Sequence, residues 1–239
     1  MSEIGKYVIL FQGRAGSTLL TEHMRSHPNI SAQYEAFSTL PKEWSVQLDW
    51  MTNLFYAENR GNPTQVIGFK TKLSDIADQD LFANFVQDNK IKVIHLFRKN
   101  LVKLIVSVIR ADRLRKTSGD SNLYDQKNSL GKIHIDPTEF RKQKKRIRLY
   151  RELREYIDGM NVDVCRVRYE DLLYNLDRTL NRLWRYVGVK KHQTDAEVLK
   201  NTPDRLEDAV ENLDELRASF PEYERFFAEN DEIAAPKIV

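Results

Sequence analysis

The sequence predicts an α/β fold in which one domain, residues 1–239, contains a central parallel sheet flanked by helices. Short apolar runs bounded by glycine or charged residues are typical of buried strands, and they occur at 8–11, 66–72, 92–97 and 162–167. Segments with apolar residues at helical spacing follow each of them. Because strands alternate with helices and no repeat is visible, we expect parallel strands with helices on both faces of the sheet.

Composition excludes several classes of protein. The chain has 239 residues, of which 41% are hydrophobic and 31% charged, which is ordinary for a globular protein with a full core. A net charge of +3 is too small to indicate a nucleic-acid partner. The one cysteine, Cys165, lies in a predicted strand and indicates a reduced thiol. With no signal-like start and no integral membrane segment, we expect a cytoplasmic protein, and its oligomeric state stays open.

The remaining elements follow from caps and breakers. Asn100 is a predicted N-cap for a helix that runs to residue 115, and Asp136-Pro137 begins a helix with a basic body. Residues 117–135 are polar and predict a mobile loop. The other predictions are a first helix with Leu19, Leu20 and Met24 at helical spacing that ends at residues 26–29, an extended or loop segment at 30–38, an amphipathic helix or lid at 41–59, helices at 81–86 and 169–188, and an acidic helical region from 204.

The stretch that most directly predicts function is the glycine loop after the first strand, Gly13-Arg14-Ala15-Gly16-Ser17-Thr18. A strand, a tight loop and a helix start bring unpaired backbone N–H groups and the positive end of a helix dipole to one point. Ser17 and Thr18 add hydroxyl donors, and Arg14 adds a cation. The loop therefore predicts a phosphate or sulfate site, although the same spacing also occurs in simple turns.

This loop is P-loop-like without the residues for a nucleoside triphosphate. A triphosphate P-loop ends in Gly-Lys-Ser/Thr, in which the lysine contacts the terminal phosphates and the hydroxyl contacts Mg²⁺. Here the corresponding residues are Ala15-Gly16-Ser17-Thr18, with no lysine. A small-molecule kinase is thus the alternative function, and a non-catalytic nucleotide-binding module is a third.

Three motifs together resemble the sulfotransferases that use 3′-phosphoadenosine 5′-phosphosulfate (PAPS), above all the small bacterial members. The glycine loop is similar to their 5′-phosphosulfate loop. The run HLFRKNLVKLIVS is similar to their 3′-phosphate element, an arginine at a strand end and a serine in the next helix. Tyr169-Glu170-Asp171-Leu172 is similar to a late motif whose tyrosine reaches the nucleotide. The resemblance covers about residues 5–110 and 160–230.

The resemblance implies a role for each matching residue. Arg14 would contact the bridging oxygen and the sulfuryl group, and Lys70 would be a second cation there. The nucleotide, PAPS or its product PAP, would be bound by Arg14, Ala15, Gly16, Ser17, Thr18, Arg98, Ser107 and Tyr169. No metal is expected, because no His, Asp or Cys cluster has ligand spacing.

Two departures from the family pattern leave alternatives open. Arg98 lies one residue farther from Ser107 than is usual, whereas Lys99 has the usual spacing, so either holds the 3′-phosphate; we favour Arg98. Where many eukaryotic members carry a catalytic histidine, this chain has Lys72, a poor general base near pH 7. Some small bacterial members use a glutamate after the first helix, and Glu35 is similar to it.

The sequence therefore predicts transfer of a sulfuryl group from PAPS to an acceptor hydroxyl, of a carbohydrate, a glycolipid or a small metabolite, with Glu35 as base. His134 is the second candidate for the base, and His95 is expected in the core. The basic segment 141–154 is either a solvated face or an aid in binding the nucleotide or an anionic acceptor. It lacks the interleaved aromatic residues expected of a nucleic-acid binder.

Overall fold

The computed structural model describes residues 4–56, 64–120, 127, 129–194 and 202–228. Residue contacts divide the chain into two compact units: unit 1 contains residues 1–97 and 152–197, and unit 2 contains residues 98–151 and 198–239. The single-domain organisation stays a prediction. Within the described ranges the α-helices are α1 (Ser17–Arg25), α2 (Trp44–Tyr56), α3 (Gln79–Asp88), α4 (Leu101–Ser118), α5 (Pro137–Gln143), α6 (Lys145–Gly159), α7 (Tyr169–Tyr174), α8 (Leu176–Val187), α9 (Leu213–Ser219) and α10 (Glu224–Ala228).

Unit 1 contains a five-stranded sheet in the order β2-β3-β1-β4-β5, and every neighbouring pair is parallel. This confirms the predicted α/β fold with its central parallel sheet. The strand bounds are β1 (Gly5–Phe11), β2 (Ile30–Gln33), β3 (Val66–Lys72), β4 (Lys92–Phe97) and β5 (Val164–Arg168). The edge strand β2 falls in the segment predicted only as extended or loop.

Helices cover both faces of this sheet, as the alternation of strands and helices predicted. Val8 and Leu10 of β1 lie in one apolar cluster with side chains from α2, α3 and the last turns of α6, including Met51, Phe82 and Ile157. Side chains alternate along a strand, so Gly5 of β1 faces the other side of the sheet. An added Cβ on Gly5 would lie 3.4 Å from the carbonyl oxygen of Val187, so the end of α8 packs against that side.

Unit 2 is helical and has its own apolar cluster. Asn100 caps α4 as predicted, since its side-chain oxygen accepts a hydrogen bond from the Lys103 N–H at 2.9 Å. The cluster combines side chains of α4, α5, α9 and α10, among them Ile105, Ile109, Phe140, Leu216 and Phe227.

Several predicted bounds differ from the structure. The basic helix is divided at Lys144, where i→i+3 hydrogen bonds from Lys144 N–H to Arg141 and from Ile147 N–H to Lys144 replace the α-helical pattern. The helix predicted over 169–188 is divided at Asn175, whose φ of −136° is not helical. Residues 117–118 of the predicted loop extend α4, while 121–126 and 128 lie outside the described residues.

The acidic C-terminal region is helical only in short pieces. Leu206–Asp208 and Pro221–Tyr223 are 3₁₀ turns, and α9 and α10 have seven and five residues. Residues 229–239 lie outside the described ranges.

Candidate active site

The predicted anion loop joins β1 to α1 and contains two left-handed residues. Arg14 has φ 69° and Gly16 has φ 83°, so the chain reverses within the five residues from Gln12 to Gly16. Gly16 is the N-cap of α1 and has no side chain with which to cap this end. Because the first N–H groups of a helix have no acceptor within the helix, they and the dipole face the loop. The Ala15 N–H donates to the Gln12 carbonyl at 3.3 Å, which leaves the N–H groups from Gly16 onward for an anion.

Tyr169 lies against this loop, and its contact with a nucleotide stays a prediction. An added Cβ on Gly16 would approach the Tyr169 Cδ2 to 2.3 Å, which is far below a normal contact. Only glycine fits at this position, both for the ring and for the positive φ. Tyr169 begins α7 directly after β5, and β5 ends in Arg168, whose guanidinium forms two 2.8 Å hydrogen bonds with the Asp171 carboxylate. This bidentate ion pair stabilises the turn from β5 into α7, at which the Tyr169 ring is placed against the loop.

The second group of predicted residues meets at the ends of β2 and β3. Glu35 follows β2. Lys70 and Lys72 lie two residues apart at the end of β3, so their side chains are on the same face of the sheet. Glu35 Oε1 lies 3.3 Å from Lys70 Nζ, and Glu35 Oε2 lies 2.5 Å from Lys72 Nζ. Lys72 also contacts Asp75 Oδ2 at 3.4 Å. Glu35 and Lys70 were both predicted as catalytic residues, and the structure brings them into one ion pair.

The two lysines differ in burial and in electrostatics. The Lys70 residue is 2% exposed, and burial lowers the pKa of its ammonium group against the opposing effect of Glu35. The Lys72 side chain is 29% exposed. Its partial burial acts to lower its pKa, but the hydrogen bond and charge of Glu35, with Asp75, outweigh this and raise it. Lys72 is thus the lysine whose charged form the ion pairs favour, and Lys70 is the one whose charged form burial opposes.

Aromatic rings surround the Lys70 ammonium. Its Nζ lies 5.7 Å from the ring centre of Phe11 and 5.2 Å from that of Tyr34. Tyr34 is 44% exposed, contacts the Arg25 guanidinium, and donates a hydrogen bond to Glu22 of α1. Tyr34 therefore forms an exposed aromatic edge next to the Glu35–Lys70 pair.

These groups lie at one edge of the sheet because the strands are parallel. The glycine loop follows the carboxyl end of β1, Glu35 follows that of β2, and Lys70 and Lys72 end β3. β3 lies between β1 and β2 in the sheet. The carboxyl ends of parallel strands are where ligands of such sheets bind. The arrangement suits an anionic ligand that has a proton-accepting carboxylate nearby.

The predicted 3′-phosphate residues belong to unit 2. Arg98 directly follows β4 and is buried, whereas Lys99 next to it is exposed. Ser107 lies within α4 and is buried. The assignment of Arg98, Lys99 and Ser107 to a phosphate stays a prediction.

The two histidines considered from the sequence have different surroundings. His95 of β4 is 4% exposed, as expected for the core, and burial with the charge of Arg166 lowers its pKa to about 4. Its Nδ1 has no hydrogen-bond partner among the described residues, so the histidine is buried but not satisfied. The side chain of His134 is 60% exposed and lies 3.9 Å from Glu215 in unit 2.

Sequence reasoning missed Lys72 and Asp75 as partners of the candidate base. The signal was present, since Lys70 and Lys72 are two residues apart and point to the same face of β3. Within the described ranges, no group of three or more His, Cys, Asp or Glu side chains is arranged to hold a metal ion. In the same ranges, no helix has both the length and the hydropathy to cross a bilayer.

Comparison with known proteins gives structural similarities only. No family model and no curated protein sequence matches the chain. Three similar solved structures are the mouse sulfotransferase SULT7A1 complexed with PAP (13% identity, TM-score 0.48), sulfotransferase STF9 from Mycobacterium avium (10%, 0.46) and a sulfotransferase from Alicyclobacillus acidocaldarius (17%, 0.49). In the same order, the matched regions cover 81%, 95% and 95% of this chain. They cover 62%, 78% and 95% of the chains in those three structures. All three carry the family name that the sequence motifs indicated.

Proposed function

We propose that the protein transfers a sulfuryl group from PAPS to a hydroxyl group of an acceptor. The observation that supports this most is the Glu35–Lys70 ion pair at the sheet edge that also bears the glycine loop. The pair offers a carboxylate for the acceptor's proton and a buried cation for the charge on the transferred group. The loop offers backbone N–H groups for an anion but lacks the lysine of a triphosphate site.

The reaction breaks one S–O bond and forms another. The acceptor oxygen attacks sulfur while Glu35 takes its proton, and the bond between sulfur and the 5′-phosphate oxygen breaks with its electron pair staying on PAP. Arg14 and Lys70 stabilise the negative charge that develops on the sulfuryl group and the bridging oxygen. As in phosphoryl transfer, positioning and electrostatic stabilisation supply most of the rate enhancement.

In this proposal the two ends of the nucleotide have separate binding residues. Gly16, Ser17 and Thr18 bind the 5′-phosphate with N–H and hydroxyl donors, and Tyr169, whose ring lies on Gly16, packs against the nucleotide. Arg98 and Ser107 bind the 3′-phosphate, with Lys99 as the alternative cation. These last assignments derive from the sequence resemblance. The acceptor class, a carbohydrate, glycolipid or small metabolite, has the same origin.

Ligand-induced shifts of the unfolding temperature separate the proposal from its alternatives. A ligand at about 100 times its Kd stabilises the native state by about 2.7 kcal/mol. We expect a larger shift with PAP than with ADP at equal concentration. A larger shift with Mg-ATP would instead indicate the kinase, and PAP binding without any turnover of PAPS across acceptor classes would indicate a binding module.

Two matched pairs of variants test the site itself. Gly16→Ala introduces the clash with Tyr169 and should abolish PAP binding, whereas Gly13→Ala meets no atom within 4 Å and should retain it.

Arg98→Ala should weaken PAP binding about tenfold or more and leave ADP binding unchanged, as expected for a lost charged hydrogen bond, while Lys99→Ala should change neither. Equal losses of PAP and ADP in Arg98→Ala would refute the 3′-phosphate assignment.

A further inference from the structure

The candidate base is held by two lysines in a row of alternating charges. Lys70, Glu35, Lys72 and Asp75 follow one another at 3.3, 2.5 and 3.4 Å, so each carboxylate oxygen of Glu35 contacts a different ammonium group. Among the described residues, Glu22 of α1 also acts on this row, through its charge on Lys70. Two carboxylates and two ammonium groups balance within the row itself.

Lys72 has a different place in this row from Lys70. Lys70 is enclosed by Phe11 and Tyr34, and the sequence already assigned it to the transferred group. Lys72 has an exposed side, lies at the last position of β3, and contacts both Glu35 and Asp75. Asp75 belongs to the 3₁₀ turn Leu73–Asp75 that directly follows β3, so its distance from Lys72 is set locally.

We propose that Lys72 is a positioning residue for Glu35, and that Asp75 holds Lys72 in the place where it does this. The inference rests on the proposed function. Lys72 aligns Oε2 of Glu35 and so fixes the rotation of the carboxylate. A carboxylate oxygen accepts more than one hydrogen bond, so an oxygen held in this way still accepts the acceptor's hydroxyl proton.

Asp75 matters once Glu35 has taken the proton. The protonated Glu35 is neutral and no longer balances Lys72, but Asp75 remains 3.4 Å from its ammonium group. Lys72 therefore keeps a counter-ion through the whole cycle and does not move toward the leaving group.

The test compares Lys72→Gln with Lys72→Arg and with the control Lys116→Ala, an exposed lysine in the last turn of α4. In Lys72→Gln we expect kcat to fall about tenfold because the base is misaligned, with KM for PAPS within about twofold of wild type. Lys72→Arg should keep kcat close to that of wild type, and Asp75→Asn should lower kcat by a smaller factor.

A measurement without turnover keeps this inference separate from the proposed function. The mobility of the Glu35 side-chain carboxyl is compared by carbon NMR relaxation in wild type and in Lys72→Gln. A more mobile carboxyl in the variant supports the inference even if wild type shows no sulfuryl transfer, a result that would refute the proposed function alone. Unchanged mobility, or unchanged kcat in an active enzyme, overturns the role of Lys72.

Discussion

The two units of the protein bury positive charge in different ways. In unit 1, Lys70 is paired with the carboxylate of Glu35. In unit 2, α4 carries two fully buried cations whose partners include backbone carbonyls: Lys103 donates to Asp204, and Arg110 donates to Leu130, Gly131 and Ala209. A carboxylate beside a cation can act as a proton acceptor in catalysis, whereas a backbone carbonyl serves only as a hydrogen-bond acceptor. The pair of unit 1 therefore includes a group suited to chemistry, and the two cations of unit 2 tie α4 to other segments of the backbone.

The largest effect that distinguishes the units is expected for Arg110→Met. The change leaves three carbonyls without the guanidinium donor, and removing one partner of a buried charged group typically costs about 3–5 kcal/mol. Urea unfolding measures this loss. The control is Arg115→Met in the same helix, whose exposed pair with Asp112 is worth at most about 1 kcal/mol. Equal losses in the two variants would contradict a holding role for Arg110.

The buried histidine His95 provides the next test. Burial and Arg166 lower the pKa of His95 to about 4, below its ordinary value of 6.5. Between these values the unfolded chain binds more protons than the folded one, so the free energy of unfolding should fall as the pH drops from 6.5 toward 4. The full contribution is up to about 3 kcal/mol. Unfolding as a function of pH should show a shallower slope in His95→Gln and no change in the exposed His134→Gln.

Glu35→Gln tests whether the charge of unit 1 serves chemistry. Loss of a general base typically lowers turnover about 100-fold or more, and PAP affinity should stay close to wild type because no phosphate contact is removed. Rates with labelled PAPS and calorimetry with PAP measure the two properties. The exposed Glu43→Gln is the control for a lost carboxylate. Turnover that is unchanged in Glu35→Gln would return the base role to another residue.

The smallest difference is expected between two lysine variants. Lys103→Met removes a charged donor from the Asp204 carbonyl and should cost about 1–3 kcal/mol. In Lys70→Met, Glu35 keeps its ion pair with Lys72, and the methionine lies next to the rings of Phe11 and Tyr34. The free energy of unfolding should therefore fall by less than about 1 kcal/mol. Denaturant unfolding of both variants compares them. A larger loss in Lys70→Met would show that this lysine, too, mainly supports the fold.

The parts of the fold that local sequence determines were predictable. The run KVIHLF is strand β4 to the residue, and the Asn100 and Asp136 caps begin α4 and α5 as expected. Strand β2 was not predictable, since it has four residues and pairs only with β3 at the sheet edge. The break at Lys144 was equally hidden, because the residues around it suit a continuous helix.

The candidate site was predictable residue by residue but not as an arrangement. The glycine loop, Tyr169 and Glu35 were found from motifs. The approach of Tyr169 to Gly16 was not evident, since it joins the first strand's loop to the last strand's end. The pairing of Glu35 with Lys72 depends on β2 lying beside β3, which no local pattern encodes.

The helix start at Gly16 has a further consequence. Because the N-cap Gly16 has no side chain to cap α1, a bound anion would itself complete the first turn of the helix. The ligand would then act as a structural part of the protein, and amide hydrogens of Ser17, Thr18 and Leu19 would exchange with solvent more slowly in its presence. Occupancy of the loop is thus readable from backbone protection without knowledge of the acceptor.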